Sequence, residues 1–217
     1  MNAKASFRSF EESTEADWKI IQNDFPVTQA LAAANIIEQL RILERDDGGF
    51  PVSRLEHSLQ TATRAAEDGR DDEYVLCALL HDIGDTLAPM NHPSIAAGII
   101  KPYVSEANHW MVEHHGIFQG YYFWHHIGAD PNTRENYRDS PYFEYTEEFC
   151  HKYDQTAFDP DYTSAPLDTF VPIITEVWSG EDPETLLDAY ESGLKAAVHT
   201  GTRSRRQNAR AAMLSAA

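Results

Sequence analysis

The chain has 217 residues, of which 42% are hydrophobic and 24% charged, a composition typical of one soluble globular domain. Its formal net charge of -18 argues against a nucleic-acid or anionic-membrane partner, because so acidic a protein has no basic field to attract phosphates. No stretch approaches the roughly 20 apolar residues that span a bilayer, and the polar N-terminal sequence has no secretory pattern. Cys77 and Cys150 form no CxxC pair, so we expect a reducing, cytoplasmic location.

The hydrophobic pattern predicts an all-α protein with one helical domain over residues 13–198. We expect a loose segment at 1–12 and a basic tail of small residues at 199–217. The segment "VTQALAAANIIEQLRILER" has helical spacing and ends at "DDGGFP". Ser53 then begins a helix in which Glu56 completes a capping-box pattern. A helix follows over "DEYVLCALLHDIG", with Gly84 as its C-cap. Shorter helices are predicted at 93–102, 105–115, 143–155, 168–178 and 184–197, without any series of alternating strands.

The helix over "DEYVLCALLHDIG" is apolar until it reaches His81 and Asp82. Burying ionisable groups costs several kcal/mol unless they are paired or bound to a metal. Adjacent helical side chains diverge by about 100°, so this pair suits two metal ions, with Asp82 between them, better than one ion. His57 lies on the polar stripe of the preceding helix, and antiparallel packing would bring it near His81.

These residues and three later ones supply four imidazoles and two carboxylates, without a thiolate. The candidate ligands are His57, His81, Asp82, His92, His115 and Asp154. Mixed nitrogen and oxygen donors suit iron, manganese or catalytic zinc, and ions bridged by a carboxylate lie about 3.5–4 Å apart. One buried histidine is more often a hydrogen-bonded core residue than a ligand. The prediction therefore depends on the ordered series and on the sequence around it.

The segments "HSLQTA", "LLHDIGD", "VEHHGIF" and "EFCHKYDQTAFDPDY", between His57 and Tyr162, resemble the HD-domain superfamily. They are similar in particular to its oxygenase branch, which includes myo-inositol oxygenase and the enzymes that cleave the carbon–phosphorus bond of hydroxylated phosphonates. The resemblance implies a mixed-valent Fe(II)/Fe(III) pair that uses O2. It assigns one iron to His57, His81, Asp82 and Asp154, and the other to the bridging Asp82 with His92 and His115. It also favours His115 over the neighbouring His114.

The substrate positions depart from that branch. Asp85 stands where myo-inositol oxygenase has a lysine, and Gln119 stands where the phosphonate enzymes have a lysine. Asp47 and Phe50 occupy the places of a tyrosine and a glutamate in the phosphonate enzymes. The resemblance therefore implies a retained iron site beside an altered substrate pocket.

The proposed substrate contacts are Gln119, Tyr122, Asp85 and Arg64, and no catalytic residue is assigned beyond the metal ligands. Arg54 and Lys152 are further cations that lie near the ligands in sequence. The aromatic segment around Tyr122 is either a wall of the pocket or part of the core.

The leading hypothesis is a diiron oxygenase acting with O2 on a small hydroxylated molecule, such as an organophosphonate or an amino alcohol. The alternative is an HD phosphohydrolase that uses Mn or another divalent metal on a phosphomonoester or nucleotide. A third hypothesis is a non-catalytic binding module that keeps the fold. The sequence carries no signal for an oligomeric state.

Overall fold

The computed structural model describes residues 3–45 and 47–179, and these residues form helices and turns without a β-strand. The predicted all-α fold is confirmed. The α-helices are α1 (Glu15–Leu43), α2 (Arg54–Glu67), α3 (Asp72–Leu80), α4 (His92–Ile100), α5 (Glu106–Phe123), α6 (Phe143–Phe149) and α7 (Leu167–Ser179). Short 3-10 helices span Phe10–Glu12, Trp124–Ile127 and Pro131–Tyr137, and a π-helix spans Cys150–Asp154. The predicted helix at 184–197 and the tail at 199–217 lie outside the described residues.

The first helix begins earlier than the hydrophobic pattern predicted, because a capping box starts it. The Thr14 hydroxyl accepts a hydrogen bond from the Asp17 backbone N–H (3.3 Å), and the Asp17 carboxylate accepts one from the Thr14 N–H (3.0 Å). The same carboxylate accepts a bond from the Ser6 N–H at 2.8 Å. Pro26 is accommodated inside the helix, at the loss of one backbone donor.

The predicted start of α2 is confirmed at Ser53, whose hydroxyl accepts a hydrogen bond from the Glu56 N–H at 3.1 Å. The Glu56 carboxylate accepts a bond from Gln60 Nε2, also at 3.1 Å. The cap fixes the first turn of the helix that carries His57.

The third helix ends earlier than predicted, and the assignment of Gly84 as its C-cap was wrong. α3 ends at Leu80, and the chain continues in tight turns in which the Ile83 N–H donates to the Leu80 carbonyl at 3.0 Å. Gly84 has no positive φ. A glycine is needed there because a Cβ would lie 2.8 Å from the His92 carbonyl oxygen and 2.9 Å from Ile95 Cβ. His81 and Asp82 thus stand in a turn that packs tightly against α4.

The core forms where α2 packs against α3, α4 against α5, and α1 against α7. α3 lies at its centre, and each of its residues from Tyr74 to Leu80 is at most 2% exposed. Because this apolar run is buried, the turn that follows it also lies in the protein interior. Within the described part of the chain, no helix combines the length and apolar character needed to cross a membrane.

Candidate metal centre

Four histidine rings and two carboxylates meet in the interior, although five separate elements carry them. His57 lies on α2, and His81 and Asp82 lie in the turn after α3. His92 is the first residue of α4, His115 lies on α5, and Asp154 is the last residue of the π-helix. The structure therefore brings together all six residues that the sequence suggested as ligands. Their role as ligands stays a prediction.

One half of the cluster, here called site A, consists of His57, His81, Asp154 and one oxygen of Asp82. The Nε2 atom of His57 lies 3.1 Å from His81 Nε2 and 3.3 Å from Asp154 Oδ1. Asp82 Oδ2 lies 3.4 Å from His57 Nε2 and 3.5 Å from His81 Nε2. His57, His81 and Asp154 each offer a ligand atom within 4.8 Å of the other two, so site A could hold one metal ion.

The other half, site B, is built around the second oxygen of Asp82. Asp82 Oδ1 lies 3.1 Å from His115 Nε2 and 3.2 Å from His92 Nε2, and these two nitrogens are 3.3 Å apart. Asp82 thus presents one oxygen to each site, as a bridging carboxylate does. Site B has three protein donors and site A has four, so an ion at site B would keep more positions for other ligands.

The second nitrogen of each ring faces a backbone carbonyl, which orients the imidazole. His57 Nδ1 lies 3.0 Å from the Ala157 oxygen, and His81 Nδ1 lies 2.8 Å from the Ala78 oxygen. The rings of His92 and His115 have the same arrangement, with the Pro89 oxygen at 2.9 Å and the Val112 oxygen at 2.8 Å. An Nδ1–H that donates to a carbonyl leaves the lone pair on Nε2, and this is how metal-bound histidines are oriented.

The charges of the cluster also favour a cation. Burial lowers the pKa of His57, but hydrogen bonds with Asp154 and Asp82 outweigh it and raise this pKa to about 10. Burial acts to raise the pKa of Asp154 and of Asp82, yet the surrounding histidines hold both pKa values below the usual range. Asp154 Oδ2 is buried without a hydrogen-bond partner. The donor set and this unpartnered oxygen fit metal ions, since ionised carboxylates and imidazole lone pairs converge there.

Hydrogen bonds of the preceding residue, Tyr153, and of Gln119 hold Asp154 in place. The Tyr153 hydroxyl donates to the Asp68 carboxylate at 2.5 Å and accepts from Arg70 Nε at 2.9 Å. From the other side, Gln119 Nε2 donates to Asp154 Oδ1 at 2.9 Å. The π-helix that ends at Asp154 is a local irregularity of the kind that often occurs at functional sites.

A cavity of about 560 Å³ opens onto both sites and reaches His57, Asp82, His92, His115 and Asp154. Much of its wall is apolar, formed by Phe50, Val52, Pro89, Phe123 and Phe158. The Phe158 ring stacks on His57 with centroids 4.2 Å apart, and Phe50 stacks on Phe158 at 5.1 Å. Phe158 was not predicted as a site residue, although a lone phenylalanine in the polar segment "YDQTAFDPDY" indicates a side chain that packs against the protein.

Three of the four predicted substrate contacts line this cavity: Asp85, Gln119 and Tyr122. Each also has a protein partner. Asp85 pairs with Arg54, Gln119 bonds to Asp154, and the Tyr122 hydroxyl lies 3.2 Å from His151 Nδ1. Contact with substrate stays a prediction for all three.

Arg64, the fourth predicted substrate contact, lies away from this cavity. Arg64 is not part of the cavity wall, and its guanidinium carbon lies 3.9 Å from the centre of the Tyr162 ring. It is two turns beyond His57 along α2, about 10 Å further along the helix axis. Arg54 supplies the cation of the wall, and Lys152 pairs at the surface with Asp68 and Glu148.

The structure turns His115 toward the cluster and His114 away from it. The His114 ring stacks on Trp110 with centroids 4.0 Å apart, and its Nδ1 lies 2.9 Å from the Trp110 carbonyl oxygen. The aromatic residues around Tyr122 also face different sides of the helix. Phe118 is fully buried in the core, whereas Tyr122 and Phe123 line the cavity.

Comparison with known families agrees with this geometry. A family model described as "HD domain" matches residues 54–163, a segment that begins with α2 and contains all six residues of the cluster. Among curated proteins, none has a sequence that matches this chain significantly.

Proposed function

Because the chain belongs to the HD-domain family, whose members are generally metal-dependent enzymes, we propose that it is an O2-dependent oxygenase with a mixed-valent pair of iron ions. Its substrate is a small hydroxylated molecule, such as an organophosphonate or an amino alcohol, and the reaction is an oxidative cleavage. One observation carries the proposal: two donor sets of unequal size share Asp82 and open onto one cavity.

In this proposal His57, His81, Asp82 and Asp154 hold one iron, and Asp82, His92 and His115 hold the other. When bound, the iron pair would supply the activation of O2 and the oxidation of a substrate carbon. The residues of the chain orient the imidazoles through their Nδ1–H bonds and keep Asp154 in place through Gln119. Phe158 covers one face of His57 and Phe50 stacks on the outer side of Phe158, which shields that side of the site from water.

Much of the cavity wall is apolar. Five apolar residues contribute to it, and the arginine of the wall, Arg54, is paired with Asp85. Gln119 and Tyr122 also line the cavity, and in this proposal they form hydrogen bonds with hydroxyl groups of the substrate. An apolar pocket with a few polar groups is typical of small-molecule sites.

A phosphohydrolase is the second candidate, favoured by the family and by the presence of a guanidinium in the cavity wall. The same six residues would then hold two divalent ions such as Mn²⁺. The reaction would be the attack of water on a phosphomonoester or a nucleotide, with Arg54 near the phosphate.

The two functions differ in their dependence on O2 and on the metal. We would purify the protein with iron, quantify the metal and record a low-temperature EPR spectrum after partial reduction. We expect two irons per chain and the signal of a coupled Fe(II)/Fe(III) pair, followed by O2 consumption with hydroxylated phosphonates, polyols or amino alcohols. Asp82→Ala is the control and should abolish both the signal and the O2 consumption.

Phosphate release without O2, supported equally by manganese, cobalt or nickel, would overturn the oxygenase and establish the hydrolase. Neither activity, together with an unchanged biological effect in the Asp82→Ala variant, would identify a binding module.

A further inference from the structure

His92 differs from the other three rings because a carboxylate faces each of its nitrogens. Its Nε2 lies 3.2 Å from Asp82 Oδ1, and its Nδ1 lies 3.1 Å from Asp85 Oδ1. Both aspartates come from the same turn, three residues apart. His92 Nδ1 also lies 2.9 Å from the Pro89 carbonyl oxygen, so Asp85 shares this nitrogen with the backbone. For the other rings, the described part of the chain shows a backbone carbonyl alone at Nδ1.

His92 is also the ring with the least packing around it. Its side chain is 22% exposed, compared with 4% for His57, 0% for His81 and 3% for His115. The buried rings are oriented by their neighbours in the core. A partly exposed ring at the first residue of a helix has fewer packing contacts to fix its rotamer, so the polar contacts of its Nδ1 must do more of this work.

Asp85 is well placed to fix the ring together with the Pro89 carbonyl. Its side chain is 5% exposed, its Oδ1 faces His92, and its Oδ2 is paired with Arg54 Nη1. The arginine is the first residue of α2, so the pair links the turn to a separate helix. The close approach of Gly84 to the His92 backbone brings Asp85 and His92 together.

We propose that Asp85 is a positioning residue: it orients His92 as a ligand of site B, and Arg54 holds Asp85 in place for this purpose. This replaces the earlier assignment of Asp85 as a substrate contact. A carboxylate on the distal nitrogen of a metal-bound histidine fixes the ring and strengthens it as a donor, and its loss costs about 10- to 100-fold in metal affinity. The inference rests on the two-metal centre proposed above, but not on the reaction that the centre performs.

The test is a titration of the metal-free protein with Mn²⁺, in which EPR measures the free ion. We expect two binding events in the wild type. In Asp85→Asn, the event assigned to site B should weaken by about 10- to 100-fold, while site A is unchanged. Asp24→Asn, which removes the same charge from an exposed position on α1, should match the wild type.

A second variant, Arg54→Gln, tests whether the effect comes from the Asp85 carboxylate beside His92 or from the ion pair between Asp85 and Arg54. Arg54→Gln keeps the carboxylate beside His92, so its affinity at site B should fall by less than about 10-fold. Circular dichroism and thermal unfolding of each metal-free variant would check the fold.

Three results would overturn the inference. They are an unchanged site B in Asp85→Asn, an equal weakening of both sites, and a loss in Arg54→Gln as large as that in Asp85→Asn. A wild type that binds a single Mn²⁺ would overturn the two-metal centre along with it. A protein that follows the expected Mn²⁺ series but consumes no O2 would refute only the proposed reaction.

Discussion

The Nε2 atoms of His57 and His81 lie 3.1 Å apart, although the Nδ1 atom of each ring already faces a backbone carbonyl. Two nitrogens that both carry lone pairs repel each other unless a proton or a metal ion lies between them. Asp82 and Asp154 add carboxylate oxygens to the same point. In the metal-free protein a proton on His57 satisfies this contact, and a metal ion at the same point would take the place of that proton.

Asp82→Ala should abolish the binding of both metal ions, because its two oxygens face different sites. His115→Ala should weaken site B mainly, and by more than the roughly 100-fold that a change outside the ligand shell can cost. Mn²⁺ titration measures both effects. His114→Ala is the matched control, since that ring stacks on Trp110, and it should keep both ions. Two tightly bound ions in Asp82→Ala would contradict the assignment.

Gly84→Ala should destabilise the protein by about 1–3 kcal/mol, because the new Cβ would press on the first turn of α4. It should also weaken site B, since His92 begins that helix. Gly98→Ala, on the exposed side of α4, meets nothing within 4 Å and should be neutral or stabilising by up to about 1 kcal/mol. Urea denaturation of the metal-free proteins gives both values. Equal effects of the two substitutions would mean that close packing at Gly84 is unimportant.

The stability of the metal-free protein should fall as the pH rises from 6.5 to about 10. Hydrogen bonds with Asp154 and Asp82 outweigh burial and raise the pKa of His57 from 6.5 to about 10 in the folded state. A raised folded pKa contributes stability that is complete below the unfolded value and is lost as the pH passes the folded one. The urea midpoint should follow this trend in the wild type and much less in His57→Asn. The same slope in both proteins would assign the effect to other groups.

Tyr153→Phe should destabilise the protein by about 1–3 kcal/mol, because its hydroxyl joins the charged groups of Asp68 and Arg70. Asp154 follows directly in sequence, so the affinity of site A should fall as well. Tyr162→Phe removes a hydroxyl that bonds to Glu67 at the exposed end of α2, and this control should cost under about 1 kcal/mol. Calorimetry and Mn²⁺ titration measure the two effects. An unchanged site A in Tyr153→Phe would show that the network stabilises the fold without positioning Asp154.

The sequence alone determined the helical fold and the residues of the cluster. Apolar spacing identifies a helix because burial of one face follows its period, and Ser53 marks the start of α2 because a hydroxyl satisfies a free backbone donor there. An ordered pattern of histidines and aspartates predicted the six residues of the cluster, and the structure brings them together.

Only the tertiary structure decided how side chains from different helices face one another. Gly84 was assigned as a C-cap from its position, but its role depends on the approach of α4, and nothing in the local sequence records that contact. Arg54 and Arg64 are both cations close to His57 in the sequence, and the prediction chose Arg64 as the substrate contact. The packing of α2 places Arg54 beside Asp85 and Arg64 on Tyr162, about 15 Å further along the helix axis. Distances between elements arise from packing over long sequence separations, so local propensity cannot encode them.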